Sequence, residues 1–204
     1  SVLGTAAAAT AVVTVVDNLN PIVITQDLTV TLDANGVGSI TAEGVDNGST
    51  DNCAIDTMVL NTTLFNCSNI GENTVTLTVT DVNGNVTAVT ANITVVDEIL
   101  PIITLNGAAT ITHNAFTAYT DAGAIADDNC GTLNVIVGGD TVNVNTVGSY
   151  VITYDAVDAS GNNATQVTRT VTVSDTTAPT AIAQDITVQL DASGNASIVA
   201  GDID

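Results

Sequence analysis

The chain contains three prolines, and each one closes the same five-residue motif. Asp17-Asn-Leu-Asn-Pro21, Asp97-Glu-Ile-Leu-Pro101 and Asp175-Thr-Thr-Ala-Pro179 follow one another at spacings of 80 and 78 residues. Each motif comes directly after a Thr/Val run. Proline gives no ladder donor and holds the residue before it extended, so each motif reads as the end of one strand and the start of another. A period this long marks an array of domains, and 204 residues leave room for about two whole ones.

Self-comparison sets the boundaries. Residues 17–46 match 175–204 at 15 of 30 positions, and residues 4–17 match 84–97 at 8 of 14. The expected organisation is therefore a last strand of a preceding repeat in 1–16, complete domains in 17–96 and 97–174, and the first strands of a following repeat in 175–204. Ends that complete each other in a polymer would supply outer strands but no middle ones. A window on a longer repetitive protein accounts for the fragments better.

Within each domain the apolar residues alternate with period two over short runs, as in Leu28–Leu32, Thr74–Val79 and Val167–Val173, with no helical stripe. Thr (35) and Val (29) supply nearly a third of the chain, which is strand composition. Aromatic residues are 2%, so the core must be built from small and β-branched side chains. Turn signals such as Asp33-Ala-Asn-Gly36, Asn83-Gly-Asn85 and Ser160-Gly-Asn162 separate the runs. The expected fold is all-β, with tandem immunoglobulin-like β-sandwich domains arranged end to end.

Charge removes whole classes of function. Asp and Glu number 22 against a single base, Arg169, for a net charge of −21. Such a chain cannot neutralise phosphates or bind an anionic lipid surface, so no nucleic acid is expected as a partner. No run reaches the roughly 18 apolar residues of a membrane helix, so no membrane insertion is expected. His113 is the sole histidine, with no second His or Cys at ligand spacing and neither a lysine nor a G-x-S-x-G to build a nucleophile with. We expect no enzyme.

The stretches DNLNPIVITQDLTVTLDANGVGSITAEGVDNGSTDNC and FNCSNIGENTVTLTVTDVNGNVTAVTANITVVD resemble the HYR-related immunoglobulin-like repeats of giant Bacteroidota surface proteins. The next domain, from PIITLNGAATITHNAF to VTRTVTVSDTTAP, is similar to bacterial Ig-like repeats. The resemblance implies an HYR-like domain in 17–96, a bacterial Ig-like domain in 97–174 and an HYR-like start in 175–204. It also implies stalk or adhesive modules of secreted cell-surface proteins, gliding-motility adhesins among them.

Loops of such a sandwich sort by pole, and one pole of each domain gathers acids. At the 17–21 junction these are Asp17, Glu43, Asp46, Asp51 and Asp81; at the next they are Asp97, Glu98, Asp121, Asp127, Asp128 and Asp158, with Asp175 opening the third. Carboxylates at ~4–6 Å with no lysine nearby repel one another by amounts on the kcal/mol scale. Calcium, which takes 6–8 oxygen ligands, would relieve that repulsion, so Ca2+ at the junctions is one reading. Solvated turn formers are the other, because Asp and Asn are ordinary turn residues and no EF-hand pattern is present.

Cys53 and Cys67 lie 14 residues apart in one domain, and the extracellular reading favours a disulfide between them, leaving Cys130 free. Under the family resemblance, Asp-Thr followed by Met, Val or Thr offers O-glycosylation candidates at Thr57, Thr141 and Thr176. The expected function is a structural segment of a secreted fibre, stalk or adhesin shaft that supports adhesion or surface motility. Its partners would be neighbouring repeats, copies of itself in a filament, and extracellular surfaces or glycans. The alternative is a glycan- or surface-binding module, possibly one attached to a secreted enzyme. An exposed aromatic cluster drawn from Phe65, Phe116, Tyr119, Tyr150 and Tyr154 would favour that alternative.

Overall fold

The computed structural model describes residues 8–202; the outer ends of the two expected flanking fragments, residues 1–7 and 203–204, lie outside the described residues. The regular structure of the described chain is nearly all strand, and the chain divides into two compact units. One takes the residues up to Asn106 with Gly123–Val137 and Tyr154–Val167; the other takes Gly107–Ala122, Gly138–Thr153 and the residues from Thr168 onward.

The first unit contains a sandwich built on a long hairpin. Strands β5 (Gly71–Asp81) and β6 (Val86–Val96) pair antiparallel from Gly71↔Val95 to Thr80↔Val86. Their alternation works as the sequence suggests: Val75, Leu77 and Val79 on one strand and Ala91, Ile93 and Val95 on the other are buried. The threonines between them point away. β1 (Leu28–Thr31) joins the far side of β6 in parallel, Leu28↔Ile93 to Thr31↔Val96, and β3 (Ile55–Leu60) joins β5, giving the order β1-β6-β5-β3. A short second sheet pairs β2 (Val37–Ser39) with β4 (Leu64–Asn66). Val30, Leu32, Ile40, Leu60 and Phe65 complete one continuous core with the hairpin. Each such side chain contributes about 1.5–3 kcal/mol when fully buried, so a core with Phe65 as its one aromatic ring is sufficient. One helical turn, α1 (Ala42–Val45), interrupts the all-β pattern. Thr41 caps it through Oγ1 to the Gly44 N–H at 3.1 Å, and Val45 locks it into the core.

The same unit holds the sheet β10-β9-β7, from β7 (Ile102–Leu105), β9 (Ala124–Asp128) and β10 (Gly131–Leu133), with Ile103 facing Ala126 in register and both buried. A further sheet, centred on the second unit, has the order β11-β12-β13-β8, from β8 (Thr110–Asn114), β11 (Ile136–Gly139), β12 (Gly148–Asp155) and β13 (Val167–Ser174). β13 runs parallel to β8 and buries Arg169, Val171 and Val173. Residues 8–16 and 175–199 form no strand.

One turn is used four times. Asp33, Asp81, Asp158 and Asp191 each accept, through the backbone carbonyl, the N–H of the glycine three residues on, at 2.9, 3.2, 3.3 and 3.0 Å. In each case the Asp Oδ1 also takes the N–H of the residue four on, at 2.8 to 3.0 Å. These are the Asp-x-x-Gly signals of the sequence, formed by a carboxylate closing its own loop.

The cysteine pairing differs from the expectation. The disulfide joins Cys67 to Cys130, 63 residues apart, and Cys53 is an exposed free thiol. The reason lies in β3, which begins just after Cys53. Six strand residues at ~3.3 Å each carry the chain about 20 Å away from it, whereas a disulfide needs Cα atoms within about 7 Å. Cys67 opens a 3-10 turn (Cys67–Asn69) after β4, beside the Asp33–Gly36 turn and Asn129. Gly36 is obligatory there: its φ is +71°, and a Cβ on it would sit 2.7 Å from Cys67 Sγ and 2.8 Å from the Asn129 carbonyl oxygen.

Candidate metal centre

Two of the acid-rich motifs fold into matching sites, both within the first unit. In one, ligand atoms of Asp97, Asp128 and Cys130 lie within 4.8 Å of one another; in the other, those of Asp17, Asp51 and Cys53 do. The scaffolds also match. Asn162 Nδ2 donates to Asp158 Oδ2 at 2.7 Å and to the Asp97 carbonyl at 3.0 Å. Asn85 Nδ2 donates to Asp81 Oδ2 at 2.7 Å and to the Asp17 carbonyl at 3.3 Å. A turn between two paired strands thus pins the linker, and the linker places its first carboxylate against the Asp-Asn-Cys loop.

The Asp97 site has the stronger chemistry. Asp97 is buried, and its Oδ1 accepts from the Ile99 N–H and from Asn129 Nδ2, both at 3.1 Å. Asn129 Nδ2 also donates to the Asp33 carbonyl at 3.1 Å, tying the loop to the Asp33–Gly36 turn. Both carboxylate oxygens of Asp128 and the side-chain oxygen of Asn129 are buried without a hydrogen-bond partner. Burial, together with the charges of Asp97 and Asp158, pushes Asp128 above the usual carboxylate range. Buried oxygens left without donors, beside a second carboxylate and no base, fit a hard cation such as Ca2+, which takes oxygen from carboxylates and amide carbonyls. The disulfide sulfur of Cys130 is no ligand for it.

The Asp17 site is more open. The Leu19 N–H, at 3.0 Å from Oδ1, leads in lowering the Asp17 pKa, while Oδ2 is buried and unpartnered. Asp51 caps the Cys53 N–H at 2.8 Å. The Cys53 thiol is pushed up by the hydrogen bond to Asp17, by burial, and by the charges of Asp17, Asp51 and Asp81, so it holds its proton. Asp81 is lowered although its burial acts the other way: Asn85 and the N–H groups of Asn83 and Gly84 outweigh that burial.

The remaining sequence candidates lie elsewhere. Glu43 is exposed on α1, and Asp46 closes its own turn onto the Gly48 and Ser49 N–H groups at 3.2 and 3.0 Å. Glu98 and Asp127 are exposed, Asp127 because alternation along β9 turns it opposite to Asp128. Asp175 is exposed and accepts from the Thr177 N–H at 2.9 Å. Asp121, in the second unit, forms an ion pair with buried Arg169 and accepts from the Tyr119 hydroxyl, so its charge is already answered. Thr57, Thr141 and Thr176 are all exposed, with Thr176 held to Asn114 Oδ1 through N and Oγ1. Asn129, Asn85 and Asn162 are the residues holding these clusters together that charge counting passed over. Their signal was the recurrence of Asp-Asn-Cys and of Asp-x-x-Gly-Asn.

Comparison with known proteins agrees with the sheet pattern. Residues 103–173 match the family model of the bacterial surface protein Ig-like domain. An uncharacterized 81.3 kDa protein of Acholeplasma phage L2 is 32% identical over 150 residues, covering 65% of this chain and 20% of that protein. The chain therefore spans a fifth of that relative. Among solved structures, the lipoprotein BT2262 from Bacteroides thetaiotaomicron is 29% identical over 39% of this chain and 40% of its own, at a TM-score of 0.35. Mouse clustered PcdhgC3 EC1-3 is 13% identical over 76% and 68%, at 0.33. These two scores are too low to add to the fold described above. Over residues 103–173, within an all-β architecture, the chain is thus similar to the Ig-like domain of bacterial surface proteins.

Proposed function

We propose that the chain is a structural segment of a secreted cell-surface shaft, made of tandem modules in 17–96 and 97–174, with Ca2+ bound where one module meets the next. The observation that carries this reading is the pair of matching sites. The linker aspartate, the Asp-Asn-Cys loop and the Asp-x-x-Gly-Asn turn come together at Asp17, Asp51 and Asp81 and again at Asp97, Asp128 and Asp158. A catalytic or lectin site would occur once; a joint recurs with the module. The aromatic residues support the same side. Tyr154 and Phe65 are buried, and Tyr119 is half-buried against His113. Tyr150 is half-buried, which leaves Phe116 as an isolated exposed ring. No sugar-stacking platform forms among the described residues. Bacterial surface adhesion or motility is the setting that fits such a shaft, with neighbouring repeats and copies of the chain as its partners.

The test is thermal unfolding and small-angle scattering of the whole chain with Ca2+ and then with chelator. A rise in melting temperature and a stiffer particle with Ca2+ are expected. Asp128→Asn separates the metal from its surroundings. It removes an unpartnered buried charge, so in chelator the variant should melt a few degrees higher than the parent, for a gain of ~1 kcal/mol. The same variant should lose most of the Ca2+ response. Identical curves in Ca2+ and chelator for the parent would leave the carboxylates as solvated loops.

A further inference from the structure

The Cys67–Cys130 bridge shows what an Asp-Asn-Cys loop is positioned to do. Cys130 sits third in such a loop, beside the linker carboxylate Asp97, and its sulfur is joined to the 3-10 turn that follows β4 of the preceding repeat. Cys53 occupies the same position beside Asp17, on the same scaffold of a turn asparagine pinning the linker, yet its thiol is exposed and unbonded. The residues leading into the two linkers also correspond: 4–17 match 84–97 at 8 of 14 positions, both ending Thr-Val-Val-Asp. In the second case that stretch is β6, the last strand of a module whose 3-10 turn carries Cys67. In the first, residues 8–16 run exposed and unpaired, with Val12, Val13 and Val15 more than four-fifths uncovered.

We propose that Cys53 is the receiving half of a covalent clamp between modules. Its partner is a cysteine placed as Cys67 is, on the 3-10 turn of a like module lying directly ahead of Asp17 in the same polypeptide. Along an array, each Asp-Asn-Cys loop that follows a module of the 17–96 kind, which carries a cysteine placed as Cys67 is, is then stapled to the module before it, as 67–130 is here. This inference rests on the tandem-module reading. The chemistry is thiol–disulfide exchange with an organic disulfide such as oxidised glutathione. The thiolate of one cysteine attacks the reagent and expels one thiol. The second cysteine then displaces the other thiol from the mixed disulfide. Two protein thiols become one disulfide, and the reagent, reduced to two thiols, takes up the two protons and two electrons. The surrounding carboxylates do not forbid the product, since Cys130 is bonded in the same setting.

The experiment lengthens the chain so that residues 17–96 are followed directly by 17–204, which recreates the Val96–Asp97 joint as Val96–Asp17. After refolding in a glutathione redox buffer, free thiols are alkylated without reduction and the disulfides are mapped by digestion with an aspartate-directed protease. The expected map shows the native 67–130 bridge, a new bridge from the added copy's Cys67 to the following Cys53, and a single alkylated cysteine, the added copy's Cys53. Cys67→Ser in the added copy should raise the alkylated cysteines from one to two. The native bridge in the same digest reports that the chain has folded. With that bridge intact, alkylation of both the added copy's Cys67 and the following Cys53 would overturn the clamp, as would Cys53–Cys53 links between chains. Scattering from the same sample reads the tandem arrangement independently, so loss of the clamp and loss of the array are distinguishable.

Discussion

Arg169, the only arginine in a chain without lysine, is fully buried on β13 between positions that alternation turns inward. Its guanidinium pairs with Asp121, and its Nε donates to the Ala108 carbonyl at 3.0 Å. A buried ion pair becomes a liability when one of its members is removed. Arg169→Met, which strips Asp121 of its ion-pair partner, should cost about 3–5 kcal/mol in urea unfolding. Adding Asp121→Asn should recover part of that loss. Much of this was legible in the sequence: the run Val167-Thr-Arg169-Thr-Val171 puts the base on the inward face, and an inward base requires a carboxylate. What the sequence could not show was which of the acids answers it. Charge counting assigned Asp121 to the metal cluster, because a partner 48 residues away depends on where the loop between β8 and β9 is carried.

The Asp-x-x-Gly turn joins the strands of the long β5–β6 hairpin. Asp33, Asp81 and Asp191 are all lowered below 3.8. Backbone N–H groups lead for Asp33 and Asp191, and for Asp81 the donors outweigh burial. A carboxyl whose folded pKa is depressed adds stability above the unfolded value and loses it as pH falls through the folded one. Asp128 has the opposite sign. Its raised pKa favours the protonated form, so its contribution is greatest in acid and is lost as pH climbs through the folded value. In chelator, the melting temperature should therefore fall as pH drops below about 4. Asp81→Ala should melt several degrees lower at neutral pH and show a shallower acid slope, measured by circular dichroism across pH 2 to 7. These turns were the clearest part of the sequence, since Asp and Gly at fixed spacing specify them locally. The split between Asp127 and Asp128 was not, because it depends on which face of β9 the sheet buries.

On the scale of the molecule, the single disulfide closes a 63-residue loop. By chain entropy such a loop is worth about 4 kcal/mol. Reduction should lower the unfolding free energy by that amount in a urea titration, and Cys53→Ser should leave it unchanged. The strand pattern was legible because alternation acts locally. The pairing of cysteines was not, since it depends on where β3 delivers the chain and on Gly36 admitting Cys67 and the Asn129 carbonyl into one small space.

The burial of Arg169 has one more consequence. A protease that cuts after lysine or arginine finds a single target in the whole sequence, and the fold hides it entirely. While folded, the chain presents nothing for such an enzyme to cut, so its resistance to that class of protease lasts as long as the fold does.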